Sequence, residues 1–227
     1  MMKIVLCLLI FSILPATLLA QFGIKGGLAV SALQASKENY TPFLGYEVSW
    51  VQYGTSNPVF GLQLGTFYTF NISDNFTFQP ELYYVQRGYQ FDQTPLYNIN
   101  YSLQINYLEL PLLIEYYLPL DWSFYPVVTA GFYSSIKLSS NKTISLPDEE
   151  INEEVSSVNN FDYGIIFGIA SEFSAWNGEI IFDLRLNWGL ANVLSKPANY
   201  ISLYDDPGTV KTRAVTLLAG YCFNLEI

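Results

Sequence analysis

The segment that most constrains the fold is residues 106–118, NYLELPLLIEYYL, which is strongly apolar and yet contains Glu109 and Glu115. Its even-numbered positions hold four Leu with Asn, Ile and Tyr, whereas its odd-numbered positions hold both Glu with Tyr, Pro and one Leu. Successive side chains of a β-strand point to opposite faces, so a strand places both carboxylates on one face. A helix would scatter the two acids around its apolar stripe. We therefore predict a strand with one apolar and one polar face.

The same alternation recurs along the chain. In 178–190, GEIIFDLRLNWGL, apolar side chains fill the even positions, and the charged side chains stand at odd positions. Further segments with this pattern, less clean in the last four, are 76–87, 161–173, 22–31, 60–71, 124–138 and 213–223. With 106–118 they make eight predicted strands, each of about ten residues or more, which is the length that a tilted strand needs to cross a membrane.

The apolar faces of these strands are almost uninterrupted, while the polar faces carry Gly, Gln, Tyr and isolated charges. Eight apolar faces exceed what one small barrel can bury inside itself. A membrane barrel turns them toward lipid and its polar faces toward the lumen, and its closed sheet leaves no backbone edge unpaired in hydrocarbon. We predict an all-β, eight-stranded, antiparallel up-and-down transmembrane barrel. The residues expected to form a charge network in its lumen are Lys25, Glu81, Arg87, Glu109, Glu115, Asp162, Glu172, Glu179, Asp183 and Arg185. Lys137 is also assigned to the polar face.

The lengths of the connections support this architecture independently. Long and short connections alternate, as in outer-membrane barrels with short periplasmic turns and long external loops. The expected long connections are 32–59, 92–104, 140–160 and 191–209, and the expected short ones are 72–75, 119–123 and 174–177.

Two stretches within the long connections stand out. FLGYEVSWVQY at 43–53 is β-like, and we predict that it extends the sheet above the membrane, because a ninth spanning strand would break the alternation. DEEINEE at 148–154 is strongly acidic and is predicted to be a solvated external loop. The alternative for this loop is a site for a divalent cation or a cationic partner, although its spacing does not match an EF-hand.

The N-terminus has the layout of a secretory signal peptide. Lys3 precedes an apolar stretch from Ile4 to Leu14, and small residues follow up to Ala20. A membrane anchor helix is the alternative, but the apolar run is shorter than the roughly 20 residues that such a helix needs. We predict that residues 1–20 are a cleaved signal peptide and that residues 21–227 form the barrel.

The composition excludes several functions. The net charge of −10 argues against nucleic-acid binding, which depends on Lys and Arg at the phosphates. The chain contains no His, and so it lacks the most common general base and zinc ligand. We expect no catalytic residue, no cofactor and no metal site, and we do not expect an enzyme.

Several motifs resemble a known family. FGIKGGLAVS at 22–31, GLQLGTFYTFNISDNFTFQPELYYVQRG at 61–88 and YLELPLLIEYYL at 107–118 are similar to the Gly-rich first strand, the QPEL third strand and the YLELPLL fourth strand of PorT-like outer-membrane β-barrel proteins of Bacteroidota. The resemblance covers essentially the whole chain after residue 20. It implies an eight-stranded barrel in the cell outer membrane, and one member of that family is implicated in type IX protein secretion.

Three classes of function fit such a barrel. The first is a structural or interaction barrel with a side-chain-filled lumen, the second a narrow channel, and the third a membrane-embedded hydrolase or acyltransferase. Eight strands leave an interior just wide enough for side chains, and buried charges tend to pair, so we favour the first class. Its expected partners are the lipid of the outer membrane and, at the external loops, another protein. A channel or an accessory component of type IX secretion is the alternative. The hydrolase or acyltransferase class is disfavoured, because no short motif marks an activated nucleophile.

The predicted signal peptide gives a direct test. The protein purified from the membrane should begin at Gln21, because Ala20 ends the small-residue stretch that a signal peptidase recognises. Intact-mass spectrometry and N-terminal sequencing measure this. Retention of Met1 and of the apolar segment would instead support the anchor-helix alternative.

Overall fold

The barrel wall is built from long antiparallel strands. The computed structural model describes residues 20–35, 57–93, 99–145, 149–156, 158–193 and 209–224. Within these ranges the strands are β1 (Ala20–Ala35), β2 (Asn57–Asn71), β3 (Phe76–Gln93), β4 (Ile99–Tyr117), β5 (Tyr125–Ser145), β6 (Glu150–Glu154), β7 (Phe161–Ala175), β8 (Gly178–Gly189) and β9 (Val210–Phe223). No helix in the described part of the chain is long and apolar enough to span a membrane.

The sheet closes on itself. The hydrogen-bonded order is β4-β3-β2-β1-β9-β8-β7-β5, and β4 also pairs with β5, which completes a ring of eight strands. The seam between the first and last strands runs from the pair Phe22–Phe223 to the pair Ala35–Val210. The predicted eight-stranded antiparallel up-and-down barrel is therefore confirmed, and β6 lies outside the ring as an addition to β5.

Exposure follows residue parity along the strands. On β4, Leu108 and Leu112 are 40% and 43% exposed, whereas Glu109 and Glu115 are 0% and 1% exposed. On β8, Leu184 is 42% exposed and Asp183 only 1%. The leucines thus form the outer wall and the carboxylates point into the lumen, which is inverted relative to a soluble protein and is the pattern of a barrel in lipid.

Aromatic rings gather on the outer wall at the end of the barrel with the short turns. Phe22 lies 5.1 Å from Tyr68 between ring centroids, and Phe76 lies 4.8 Å from Tyr116. Further ring pairs at this end are Phe22–Phe223, Tyr221–Phe223, Phe124–Phe173 and Trp122–Phe124. Such aromatic girdles mark the boundary between membrane and water, so this end of the wall meets the membrane surface.

The strands on one side of the barrel run further than the sequence pattern indicated. The expected loop 92–104 is mostly strand, because β3 continues to Gln93 and β4 begins at Ile99. The expected loop 140–160 contains the end of β5 and the whole of β6, which pair from Asn141–Glu154 to Ser145–Glu150. Residues 99–104 do alternate, but in the opposite sense to the lipid-facing part of β4, because the apolar Leu103 faces inward at 1% exposed and the polar Gln104 is exposed. β6 lies outside the ring and carries three acids in five residues, so it shows no apolar face.

The acidic stretch at 148–154 is therefore largely a strand and not an irregular loop. Glu150, Glu153 and Glu154 are exposed along it, and Lys142 of β5 forms an ion pair with Glu153 at 2.9 Å. The predicted extension at 43–53 lies outside the described residues, as do residues 1–19 of the predicted signal peptide, and both stay predictions.

Leu112 and Leu120 provide a test of the lipid-facing wall, because both are 43% exposed. Leu112 lies within β4, whereas Leu120 lies in the short turn that follows. Leu112→Arg should lower the free energy of unfolding by about 2–4 kcal/mol, the cost of a cation near the bilayer midplane, and Leu120→Arg by about 1 kcal/mol or less. Denaturant unfolding in lipid vesicles measures both, and equal costs would contradict the assignment of β4 to the membrane.

Candidate functional site in the barrel lumen

One ion pair crosses the lumen from wall to wall. Arg185 lies on β8 and Glu81 on β3, and four strand-to-strand steps separate these strands in either direction around the ring. The guanidinium donates from Nη1 to Oε2 of Glu81 and from Nη2 to Oε1, the latter at 2.9 Å. The two side chains are 1% and 0% exposed. A two-pronged pair of this kind fixes geometry as well as charge, so it ties opposite walls of the barrel together.

Lys25 and Asp183 complete this group, which we call the Arg185 network (Lys25, Glu81, Asp183 and Arg185). The Lys25 ammonium lies 3.0 Å from Oδ2 of Asp183 and 3.4 Å from Oε1 of Glu81. Asp183 also accepts a hydrogen bond from Nε of Arg185 at 3.0 Å. Two cations and two carboxylates therefore balance, which buried charges require because each is costly to remove from water unless it is paired and hydrogen-bonded.

Neutral donors extend the Arg185 network to Glu115. The Gln79 amide donates to Oε1 of Glu81 at 2.8 Å and to Oε1 of Glu115 at 2.9 Å, and Thr77 donates its hydroxyl to Oε2 of Glu115 at 3.1 Å. Thr69 in turn donates to the Gln79 carbonyl oxygen at 2.9 Å. Glu115 is thus held by hydrogen bonds from uncharged groups instead of by a cation.

A second group, the Arg87 network (Arg87, Glu109 and Asp162), lies nearer the long-loop end. The Arg87 guanidinium donates from Nη2 to Glu109 and from Nη1 to Oδ2 of Asp162, the latter at 3.2 Å. It therefore joins β3 to β4 and to β7. Hydroxyl groups complete the shell, with Ser135 donating to Glu109 at 2.9 Å and Tyr133 and Thr212 each donating to Asp162 at 3.3 Å.

Apolar layers close the lumen above and below these networks. At the long-loop end a buried cluster includes residues from the strands and from the connections beyond them: Leu33, Tyr89, Leu103, Ile105, Tyr107, Val158, Val193 and Val210. At the short-turn end a smaller cluster includes Phe67, Val127, Ala170, Ile181 and Cys222. The charges thus lie between two layers of packed apolar side chains.

The structure brings seven of the ten predicted network residues into ion pairs, four in the Arg185 network and three in the Arg87 network. The other three are Glu115, the buried Glu172 and the half-buried Glu179, and within the described ranges none of them forms an ion pair. Tyr117 hydrogen-bonds to Glu172 near the short-turn end. Lys137 does not join either network, because its ammonium donates to the Val158 carbonyl oxygen at 2.6 Å instead.

Sequence reasoning missed the neutral partners, although strand register contains a signal for them. Thr77 on β3 is directly opposite Glu115 on β4, and Glu109 on β4 is directly opposite Ser135 on β5. Polar residues paired across neighbouring strands on an inward face are candidates for hydrogen bonds to the acids. In the described part of the chain, no group of three or more His, Cys, Asp or Glu is placed to hold a metal ion.

The closed sheet, the apolar outer wall and the charged, packed lumen define a transmembrane β-barrel. Residues 16–195 match the family described as outer membrane protein beta-barrel domain, and the match spans well over half of the chain. The chain belongs to this family, and it is a protein of the outer membrane. This confirms the predicted localisation.

Several solved structures show some similarity to the chain. The attachment invasion locus protein Ail of Yersinia pestis is 13% identical, with 90% of this chain and 99% of Ail covered and a TM-score of 0.41. Neisserial surface protein A is 14% identical, with 91% and 99% covered and a TM-score of 0.42. The N-terminal barrel of Pseudomonas aeruginosa OprF is 11% identical, with 90% and 99% covered and a TM-score of 0.34. No curated protein matches the chain.

The crossing ion pair can be tested with two matched Glu→Gln substitutions. Glu81→Gln removes one carboxylate from the Arg185 network and should lower the free energy of unfolding by about 3–5 kcal/mol, because it leaves buried cations short of a partner. Glu179→Gln makes the same change from carboxylate to amide at a half-buried position, where the acid has no ion pair among the described residues. It should lower the free energy of unfolding by about 1 kcal/mol or less. Urea unfolding in vesicles, followed by electrophoretic mobility without boiling, measures both. Similar losses in the two variants would contradict the role of the network.

Proposed function

We propose that this protein is a closed barrel with a structural or interaction role, in which the lumen provides rigidity and the external segments bind a partner. The observation that carries the proposal is the Arg185–Glu81 pair, which crosses the lumen with both side chains 1% exposed or less. A barrel of eight strands has an interior that side chains can fill, and here they do so at several levels.

Passage of an ion would require this pair to separate. Lys25 and Asp183 lie against the pair, so separation would leave several buried charges without partners. Breaking a buried pair costs about 3–5 kcal/mol, and an ion would also have to pass the apolar layers at both ends. These barriers favour the closed barrel over the narrow channel.

The external side offers the surface for interaction. β5 and β6 form a hairpin beyond the ring, and its exposed carboxylates include Glu149, Glu150 and Glu154. Charge complementarity across an interface raises the rate of association and excludes wrong partners. The partner expected at this hairpin is therefore a protein with a cationic surface.

Membership of the narrower PorT-like group is also a proposal. It is supported by the motifs at 22–31, 61–88 and 107–118, which lie in the first four strands of the ring. A role as an accessory component of type IX secretion would follow from that membership. We rank it below the general interaction role, because it depends on the resemblance alone.

Planar-bilayer recording tests the closed lumen. The reconstituted wild-type protein and the Glu115→Gln variant should both pass almost no current, because neither loses the Arg185–Glu81 pair. A conducting porin in the same bilayer is the positive control. Stable, stepwise and cation-selective conductance in the wild type, altered in Glu115→Gln, would contradict the closed barrel and support the channel.

A further inference from the structure

Two cations stand on the outer wall of the barrel at one place, the long-loop end of β9. Inward-facing Thr212 alternates there with Lys211 and Arg213, which occupy the same row as Val215 and Leu217 further along the strand. Val215 and Leu217 are 45% and 60% exposed on the lipid-facing wall. Lys211 and Arg213 therefore face outward, above the apolar band.

Arg213 is held against the wall in a fixed position. Its Nη1 donates to the carbonyl oxygens of Gly189 and Thr212, each at 2.8 Å, and its guanidinium lies 4.0 Å from the centre of the Trp188 ring. Trp188 is itself 52% exposed. The guanidinium is thus preorganised, stacked on an aromatic ring in the manner that stabilises a cation at an apolar surface.

No carboxylate among the described residues forms an ion pair with either cation. Of the other five cations in the described ranges, Lys25, Arg87 and Arg185 pair with acids inside the lumen, Lys142 pairs with Glu153, and Lys137 donates to the Val158 carbonyl oxygen. A cation on the lipid face is costly at the bilayer midplane and costs little near the interface. Lys211 and Arg213 are therefore placed where the headgroups of the outer leaflet lie.

The neighbouring strand β7 supplies exposed rings near Trp188. Phe161 and Tyr163 on β7 are 66% and 55% exposed, and β7 pairs with β8 just beside Trp188. Tyr163, like Trp188, has an apolar body and a polar tip, and such side chains favour the headgroup level of a membrane. Together the residues make one surface, the cationic patch (Lys211, Arg213 and Trp188), with aromatic neighbours on one side.

We propose that the cationic patch binds the phosphate group of a lipid headgroup in the outer leaflet. Nη1 of Arg213 already donates to two backbone carbonyls, so its Nη2 and the Lys211 ammonium are the donors left for a phosphate oxygen. The rings of Trp188 and Tyr163 lie against the part of the lipid between the headgroup and the acyl chains. A carboxylate-bearing protein partner fits less well, because the patch continues into the lipid-facing wall and not into the external hairpin.

Lipid retention in nanodiscs tests the proposal. The full-length protein is inserted into phosphatidylcholine nanodiscs with increasing fractions of phosphatidic acid, and native mass spectrometry counts the phosphatidic acid molecules released with the barrel. Each basic residue near a membrane surface contributes about fivefold to the affinity for an anionic lipid. Lys211→Gln and Arg213→Gln should each raise the half-saturating fraction of phosphatidic acid about fivefold, whereas Lys142→Gln, which removes a cation on the external hairpin, should leave it unchanged.

Other outcomes would overturn the proposal. They are equal retention by the wild type and the Lys211→Gln, Arg213→Gln double variant, or an equal effect of Lys142→Gln. Displacement of the lipid by millimolar inorganic phosphate would show a site for soluble anions instead of for a lipid. If the double variant does not fold, the test uses the wild type alone. Wild-type protein that retains phosphatidic acid no better than phosphatidylcholine would then overturn the proposal. The result of this test does not depend on whether the lumen conducts, so failure of the lipid proposal and failure of the closed-barrel proposal can be told apart.

Discussion

Closure of the sheet between β1 and β9 is the constraint on which the rest of the structure depends. In hydrocarbon every backbone N–H and C=O must be paired within the protein, and an open edge would leave a whole row of them unpaired. The Gly-rich sequence of β1 permits this seam, because a Cβ on Gly27 would lie 1.9 Å from the Leu217 carbonyl oxygen and one on Gly220 would lie 2.5 Å from that of Ile24. The two strands can approach closely only because these positions lack a side chain.

A closed barrel in lipid then has to accommodate polar side chains inside it. Burial of an unpaired charge is costly, and this lumen meets the cost by pairing cations with acids and by surrounding acids with hydroxyl and amide donors. The Arg185 network illustrates how one solution serves two purposes. Its charges are neutralised, and because the partners stand on opposite walls, the same contacts hold the barrel in shape against the flattening of its cross-section.

The sequence predicted the ring well because lipid imposes a strict rule on each strand. Alternation at 106–118 and 178–190 gave the correct faces, since a slip of one residue would put Glu109 or Asp183 into hydrocarbon. The same rule does not act above the membrane, which is why the sequence pattern predicts loop at the end of β5 and at the acidic β6. Within the lumen, parity shows that a charge faces inward but not its height along the barrel axis. For this reason Arg87 and Arg185 could be assigned to one interior but not to two separate networks, and Lys137 was placed with them although it binds the Val158 carbonyl oxygen.

The unequal lengths of the strands give the barrel a tall side and a short side. β8 has 12 residues and β5 has 21, which correspond to about 40 Å and about 70 Å at 3.3 Å per residue. With a tilt of about 40°, these strands rise about 30 Å and about 50 Å, against an apolar band about 25 Å tall. The tall side therefore stands roughly 20 Å clear of the lipid by the same geometry. A partner that binds at the tip of the tall side therefore does not need to touch the membrane surface.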